Sequence, residues 1–310
     1  MARDDAAPNR GTRFSGVFPP IATPFRHGEL DLNAASQNAR RWMATRLSGL
    51  VVLGTNGESA YVDEGEAEAL VAAVRNEVPR GKLLIAGTGR DSTRATIAAT
   101  ARAANAGADA VLVRPPAFFK SQMTAAVFVR HYRALAEASP VPVLLYNFPA
   151  AFGVDLTLGA IEPLSAHPNI AGIKESGGDV AKIADDVAAT AASRPDFAVL
   201  CGSAPILHAA VLAGAAGGIL ALANVVPDLC VELYELARAG RHDEARDLQR
   251  RLSPLARSVT TGYGVPGLKA ALDLAGYVGG EPRAPLVPPP PEAVATIRAQ
   301  LQELGVVATA

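Results

Sequence analysis

Eight short apolar runs, separated by segments of helical periodicity, constrain the fold of this chain more than any other feature. The runs fall at 16–21, 50–53, 83–86, 110–113, 141–146, 170–173, 198–200 and 219–222. Most are apolar at every position rather than at every second one, as strands are when both faces are covered. Between them, 64–78, 93–106, 125–138 and 180–192 carry helical spacing with few breakers. Asp91-Ser92, Asp179 and Pro227-Asp228 have the chemistry of helix starts, and Gly107 and Gly214 that of helix ends. Such alternation predicts an α/β chain, a (β/α)8 barrel, with a doubly wound open sheet as the alternative. An open sheet that binds a dinucleotide shows a glycine fingerprint after its first strand. Phe18-Pro-Pro-Ile-Ala-Thr-Pro24 offers prolines instead.

Beyond residue 239 the strand pattern stops, and 241–259, 266–274 and 292–304 read as helices. Pro288-Pro-Pro-Pro291 is expected to be a stiff entry to the last of them. The expected organisation is a disordered lead-in over 1–13, a catalytic barrel over 14–239 and a C-terminal helical region over 240–310 packed on it. The first ten residues lack an apolar signal core, which predicts a cytoplasmic protein. The longest apolar stretch, 209–226, is divided by Gly214, Gly217, Gly218 and Asn224 into a helix, a turn and a buried strand rather than a membrane span. A net charge of −1 gives no electrostatic case for nucleic acid or an acidic membrane surface. Cys201 and Cys230 both lie in apolar segments and read as buried free thiols.

In a barrel, catalytic groups belong at the C-terminal ends of strands. Lys174, in Ile170-Ala-Gly-Ile-Lys-Glu-Ser-Gly-Gly-Asp179, is placed there, whereas Lys82 precedes its strand. The chain has five lysines among 29 basic residues, so a lysine closing a buried run stands out. An ammonium deprived of water favours the free amine that imine chemistry needs; a lysine that snorkels or pairs with a carboxylate is the alternative. Gly54-Thr-Asn-Gly-Glu-Ser59 ends another strand. It is either a tight turn or a carboxylate seat built from backbone N–H groups and the Thr55 hydroxyl. Tyr146 is either a strand aromatic or a phenol that relays protons beside the lysine. Gly87-Thr-Gly-Arg-Asp-Ser92 is explained most simply as a strand-to-helix turn with a capping residue. The five histidines show no metal-ligand spacing, and no Gly-x-Ser-x-Gly elbow is present.

Gly54-Thr-Asn-Gly-Glu58, Tyr146-Asn-Phe-Pro149, Gly172-Ile-Lys-Glu-Ser176 and Asn224, in this order and spacing, resemble the dihydrodipicolinate synthase/N-acetylneuraminate lyase family of class I pyruvate aldolases. The likeness runs from about Phe14 to Leu304. It implies a barrel with a C-terminal helical region, a homotetramer of two tight dimers or a homodimer, and pyruvate chemistry through a lysine imine without metal or other cofactor. It also implies Lys174 as the Schiff-base residue, Tyr146 as the proton-transfer phenol, and Thr55 and Asn56 at the pyruvyl carboxylate. Gly202 and Ile219 would line the pocket through their backbones, and Ser176 would contact substrate.

Two departures bear on the substrate. Where the synthase has an arginine for its second substrate this chain has Ala151, and where most members have a tyrosine reaching from a neighbouring subunit it has Phe119. Gly172 to Val180 and Gly262 to Leu286 look most like 4-hydroxy-2-oxoglutarate aldolase, whose products are pyruvate and glyoxylate. The expectation is therefore a lyase for a 2-oxo-4-hydroxy acid. Dihydrodipicolinate synthase, an aldolase for a bulkier aldehyde and a non-catalytic 2-oxo acid binder are the alternatives.

Overall fold

The computed structural model describes residues 13–308. Eight parallel strands form one sheet: β1 Gly16–Phe18, β2 Gly49–Val52, β3 Leu83–Gly87, β4 Ala110–Val113, β5 Val143–Asn147, β6 Ile170–Glu175, β7 Ala198–Cys201 and β8 Gly217–Ile219. Hydrogen bonds run in sequence from β2 to β8, and β8 pairs with β1. The remaining seam, β1 to β2, follows Pro19 and Pro20, which have no N–H to give a ladder. It closes instead through Val51 N–H to Pro19 O (2.9 Å), Ile21 N–H to Val51 O (2.8 Å) and Ser48 N–H to Val17 O (3.0 Å). The result is a TIM barrel.

Helices follow the strands: α1 Leu32–Met43, α2 Glu64–Arg75, α3 Thr93–Asn105, α4 Ala125–Ala138, α5 Leu158–Ser165, α6 Val180–Ala191, α7 Leu207–Leu212 and α8 Pro227–Arg238. The expected caps are present: Ser92 Oγ accepts from Ala95 N–H and an Asp179 carboxylate oxygen from Ala181 N–H. Strand β4 and helix α4 fall on the residues that periodicity gave. Strand β8 does not. The sequence placed it at 219–222, taking Gly217-Gly218 for a turn, but these glycines lie inside the strand. A Cβ at 217 would sit 2.0 Å from Gly16 O, so only glycine lets β8 close on β1. A short antiparallel ribbon, Phe25–Arg26 with Glu29–Leu30, was not anticipated. The expected lead-in falls on residues 1–12, outside the described residues, apart from Arg13.

Two buried layers follow the strand pleat. Phe18, Val51, Ile85, Leu112, Leu144, Tyr146, Leu200 and Ile219 fill the barrel interior, while Leu50, Val52, Leu84, Val111, Leu145 and Ile173 face the helices. Strand β6 departs from strict alternation. Val143 pairs with Ile170 but Leu144 pairs with Gly172, so Ala171 is an extra residue, a β-bulge. Downstream of it Tyr146 stands opposite Lys174, with Ile173 facing the helices; without it, Ile173 would occupy the place beside Tyr146.

The C-terminal helices are α9 His242–Arg257, α10 Gly264–Leu274 and α11 Pro291–Glu303. Helix α10 carries Lys269, whose side chain is buried and pairs with the buried Glu58 carboxylate at 2.5 Å. Lys269 also donates to Glu281 O, and Glu58 accepts from Arg283 N–H. Arg283 in turn makes a two-pronged contact with Glu66 on α2.

Behind β6 lies a second buried polar group. Glu175 accepts from Asn147 Nδ2 (2.8 Å) and Gly177 N–H (2.6 Å), and Asn147 also donates to Asp155. Lys182 on α6 stands 3.7 Å from Glu175 and 3.5 Å from Asp186, both fully buried. Two buried carboxyls therefore share one ammonium, with Asp155 nearby on Asn147. Burial first, and then the Glu175 and Asp155 charges, push the Asp186 carboxyl up to about 7, against the pull of Lys182.

Two predictions follow from these buried groups. Lys269→Ala leaves an unpaired carboxylate in the interior and should cost about 3–5 kcal/mol in urea unfolding, with Glu58→Gln/Lys269→Met recovering much of it. Asp186 ionises at lower pH in the unfolded chain than in the folded one. Its contribution to stability should therefore fall as pH rises from about 4 to about 7. Asp186→Asn lacks that fall, so its melting temperature should pull ahead of the wild type's between pH 5 and 8; parallel profiles would refute the assignment.

Candidate active site

Lys174 and Tyr146 are neighbours across the β5–β6 pair, both pointing inward at the C-terminal end of the barrel. Lys174 is buried, only 3% exposed, and its Nζ lies 4.2 Å from the centroid of the Tyr146 ring. No carboxylate is paired with it among the described residues. The adjacent Glu175 points the other way, to the polar group behind the strand. Lys82, by contrast, donates to Met43 O and Thr45 O at the opposite end of the barrel.

The Tyr146 hydroxyl is 3.1 Å from Thr55 Oγ1. Thr55, Asn56 and Gly57 form one tight helical turn after β2, so the tight-turn and ligand-seat readings describe the same backbone. Leu53 and Glu58 bracket it with φ of 57° and 54°, a left-handed conformation that costs a side-chain-bearing residue energy. The Glu58–Lys269 pair and the bond from Thr23 Oγ1 to Gly57 O hold it there. Asn56 is half-buried on this turn, next to Thr55.

Ser176 follows β6, its N–H bonded to Asn147 O. Its buried hydroxyl has no hydrogen-bond partner. Gly202, after β7, makes room for it: a Cβ there would fall 1.9 Å from Ser176 Oγ. Ile219 is buried in the inner cluster that contains Tyr146. Asn224 is a structural tie, its side chain bonded to Pro20 O, Ala221 O and Ala22 N–H.

A cavity of about 300 Å³ opens beside these groups. Thr55 and Tyr146 line it together with Leu112, Phe152, Arg90 and Arg114. Lys174, Asn56, Ser176, Gly202 and Ile219 are not part of its wall; Lys174 is covered by the Tyr146 ring. Tyr146 packs edge-on against Phe152 at 5.3 Å and Phe148 lies 6.3 Å away, making one side apolar. Ala151 is exposed on the single helical turn Pro149–Phe152. Phe118 and Phe119 stand out from the loop after β4, 78% and 67% exposed, with no contact to Tyr146 or Lys174.

Arg90 and Arg114 were not singled out from the sequence. Their signal was positional: Arg114 directly follows β4 and Arg90 comes shortly after β3, at the strand ends where barrel sites are built. Arg114 grips Asp91, whose carboxyl is thereby held down at about 2, helped by N–H bonds from Ala117 and Phe118. Cys201 lies beside Glu175 in the β6–β7 pairing, and burial pushes its thiol up to about 12, out of reach of thiolate chemistry. No cluster of three or more His, Cys, Asp or Glu able to hold a metal occurs among the described residues. Nor is any described helix long and apolar enough to cross a membrane.

Comparison with known proteins agrees with this fold. The model of the dihydrodipicolinate synthetase family matches residues 13–304. The chain is 36% identical to a protein of Emericella nidulans named as a probable mitochondrial 4-hydroxy-2-oxoglutarate aldolase, over 93% of this chain and 94% of that one. It is equally identical to the 4-hydroxy-tetrahydrodipicolinate synthase of Thermotoga neapolitana, over 94% and 99%. Among solved structures, the dihydrodipicolinate synthase of Thermotoga maritima superposes with a TM-score of 0.91 at 33% identity, covering 95% of this chain and all of that one. A prophage protein of E. coli K12 solved in complex with pyruvate superposes with a TM-score of 0.88 at 29% identity, covering 94% and 99%. The chain belongs to the dihydrodipicolinate synthetase family, and it is a lyase.

Proposed function

We propose that this protein is a pyruvate-dependent aldolase that works through an imine on Lys174, and that its substrate is 4-hydroxy-2-oxoglutarate, cleaved to pyruvate and glyoxylate. The observation that carries the reading is a buried amine with no paired carboxylate, 4.2 Å from the ring of a tyrosine whose hydroxyl meets Thr55. Lys174 Nζ attacks the C2 carbonyl and water leaves, giving a protonated imine. The C3–C4 bond then breaks and its electron pair moves into the imine, forming an enamine. Tyr146 gives its phenol proton to the departing water, and the resulting phenolate takes the C4 hydroxyl proton as the aldehyde leaves. Protonation at C3 and hydrolysis return pyruvate and the free lysine. Exclusion of water around Lys174 strengthens each of these electrostatic contacts.

Thr55 and Asn56 are assigned to the pyruvyl carboxylate, and the unpartnered Ser176 hydroxyl over Gly202 to a substrate oxygen. The backbone near Gly202 and Ile219 completes the floor. No metal or further cofactor enters the scheme. Against a synthase role stands Ala151, which supplies no guanidinium for the carboxylate of aspartate semialdehyde. The exposed Phe118–Phe119 pair suits burial against another copy, and we assign the protein a homotetrameric or homodimeric state. Two buried thiols without a disulfide partner favour a reducing compartment, the cytoplasm.

Borohydride added with pyruvate should leave a stable adduct on the Lys174 peptide by mass spectrometry, and Lys174→Ala should remove both adduct and turnover. Failure to label Lys174 at saturating pyruvate would refute the imine. In a panel of aldehydes, glyoxylate should be accepted at least about tenfold better than aspartate semialdehyde, measured as kcat/KM. The reverse order would favour the synthase. Trapping of pyruvate without cleavage of any 4-hydroxy-2-oxo acid would leave only a binding protein.

A further inference from the structure

The cavity beside Tyr146 has an apolar side and a basic side, and only the apolar side is accounted for by the chemistry above. Its basic side is formed by Arg90 and Arg114, the only cations in the cavity wall among the described residues. The third charged wall residue, Glu58, is already neutralised by Lys269.

The ion pairs around these arginines are unequal. Arg114 is committed to Asp91, and Arg102 to Glu64 in a close ion pair. Arg90 is left with a 3.8 Å approach to the already shared Glu64 and a bond to its neighbour's carbonyl, Gly89 O. Among the described residues Arg90 therefore has no close carboxylate of its own, although Glu68 lines the hollow behind it. Burial, and then the charge of Arg114, push the Arg90 pKa down, the sign of a cation without full compensation. Glycine at position 89 lets the Arg114 backbone and side chain come in close: a Cβ there would lie 2.5 Å from Arg114 Cγ. Both arginines thus reach the wall of the one cavity from the loops after β3 and β4.

We infer that Arg90, with Arg114 beside it, is the seat of the distal carboxylate of a dicarboxylic 2-oxo acid. The chain therefore selects substrates charged at both ends. This deepens the imine reading and rests on it. The pyruvyl end lies at Thr55, with Lys174 behind the Tyr146 ring, and the far end reaches Arg90 through the cavity that Thr55, Tyr146 and Arg90 all line. A carboxylate there gives Arg90 a close ion partner, the planar, two-oxygen one that guanidinium geometry favours.

The test compares pyruvate release from 4-hydroxy-2-oxoglutarate with release from 4-hydroxy-2-oxopentanoate, in which a methyl group replaces the distal carboxylate. The wild type should prefer the dicarboxylic acid by at least about tenfold in kcat/KM. Arg90→Gln should bring that ratio close to one, mainly through KM, and Arg90→Lys should retain part of it. A wild type without preference, or an unchanged ratio in Arg90→Gln, would overturn the assignment. Borohydride trapping with pyruvate alone separates the two ideas. A labelled Lys174 with an unmoved ratio rejects only the Arg90 seat, whereas an unlabelled wild type rejects the imine beneath it. If circular dichroism shows Arg90→Gln unfolded, the ratio is read in Arg90→Lys, where less than a twofold change overturns the proposal.

Discussion

The register between β5 and β6 is the constraint on which the site depends. Side chains of a strand alternate between two faces, so a slip of one position exchanges every inward residue for an outward one. Here the exchange would be severe. Lys174 would turn toward the helices, Glu175 would enter the barrel, and the polar group that holds Glu175 would lose its anchor. One inserted residue, Ala171, sets the parity. The bulge costs a ladder position, and the bonds from Ser176 N–H to Asn147 O and Gly202 N–H to Glu175 O secure the strand just beyond it. The strand is pinned to both neighbouring strands just beyond Lys174, whose amine is buried without an ion partner among the described residues.

The fold was legible because its signal is repetitive. Continuous apolar runs such as 110–113, too short for a helix, fit strands buried on two faces, and 125–138 carries nearly four turns of helical spacing without a breaker. The misplacement of β8 shows where that logic fails. Gly217 and Gly218 have turn chemistry in one dimension, yet Gly217 is required by the approach of β1, a strand at the other end of the barrel sequence, and Gly218 lies close against Leu220 and Cys201. The ribbon at 25–30 was missed for the opposite reason, being too short to show any period.

The candidate site divides in the same way. Lys174, Tyr146 and Thr55 were legible from their places at strand ends, and the geometry brings the three together. The partition of their surroundings was not. Asp186 looks like an ordinary helix residue until α6 is laid on β6, where it meets Glu175 over a single ammonium. Arg90 sits in a loop whose glycines and capping serine explained it fully in one dimension, and its lack of a close ion partner shows only once α2, α3 and the loop after β4 converge. Spacing encodes which strand end a residue occupies; the sum of charges around it is a property of packing.

Glu58 has a further consequence. The left-handed residue that closes the Thr55 turn is held by a partner at position 269 and a backbone donor at 283, both far downstream in the chain. All eight strands precede these anchors, so a chain made from its N-terminus completes its strands before the groups that set this turn exist. A fragment that stops short of α10 holds every strand of the barrel and neither anchor of the turn.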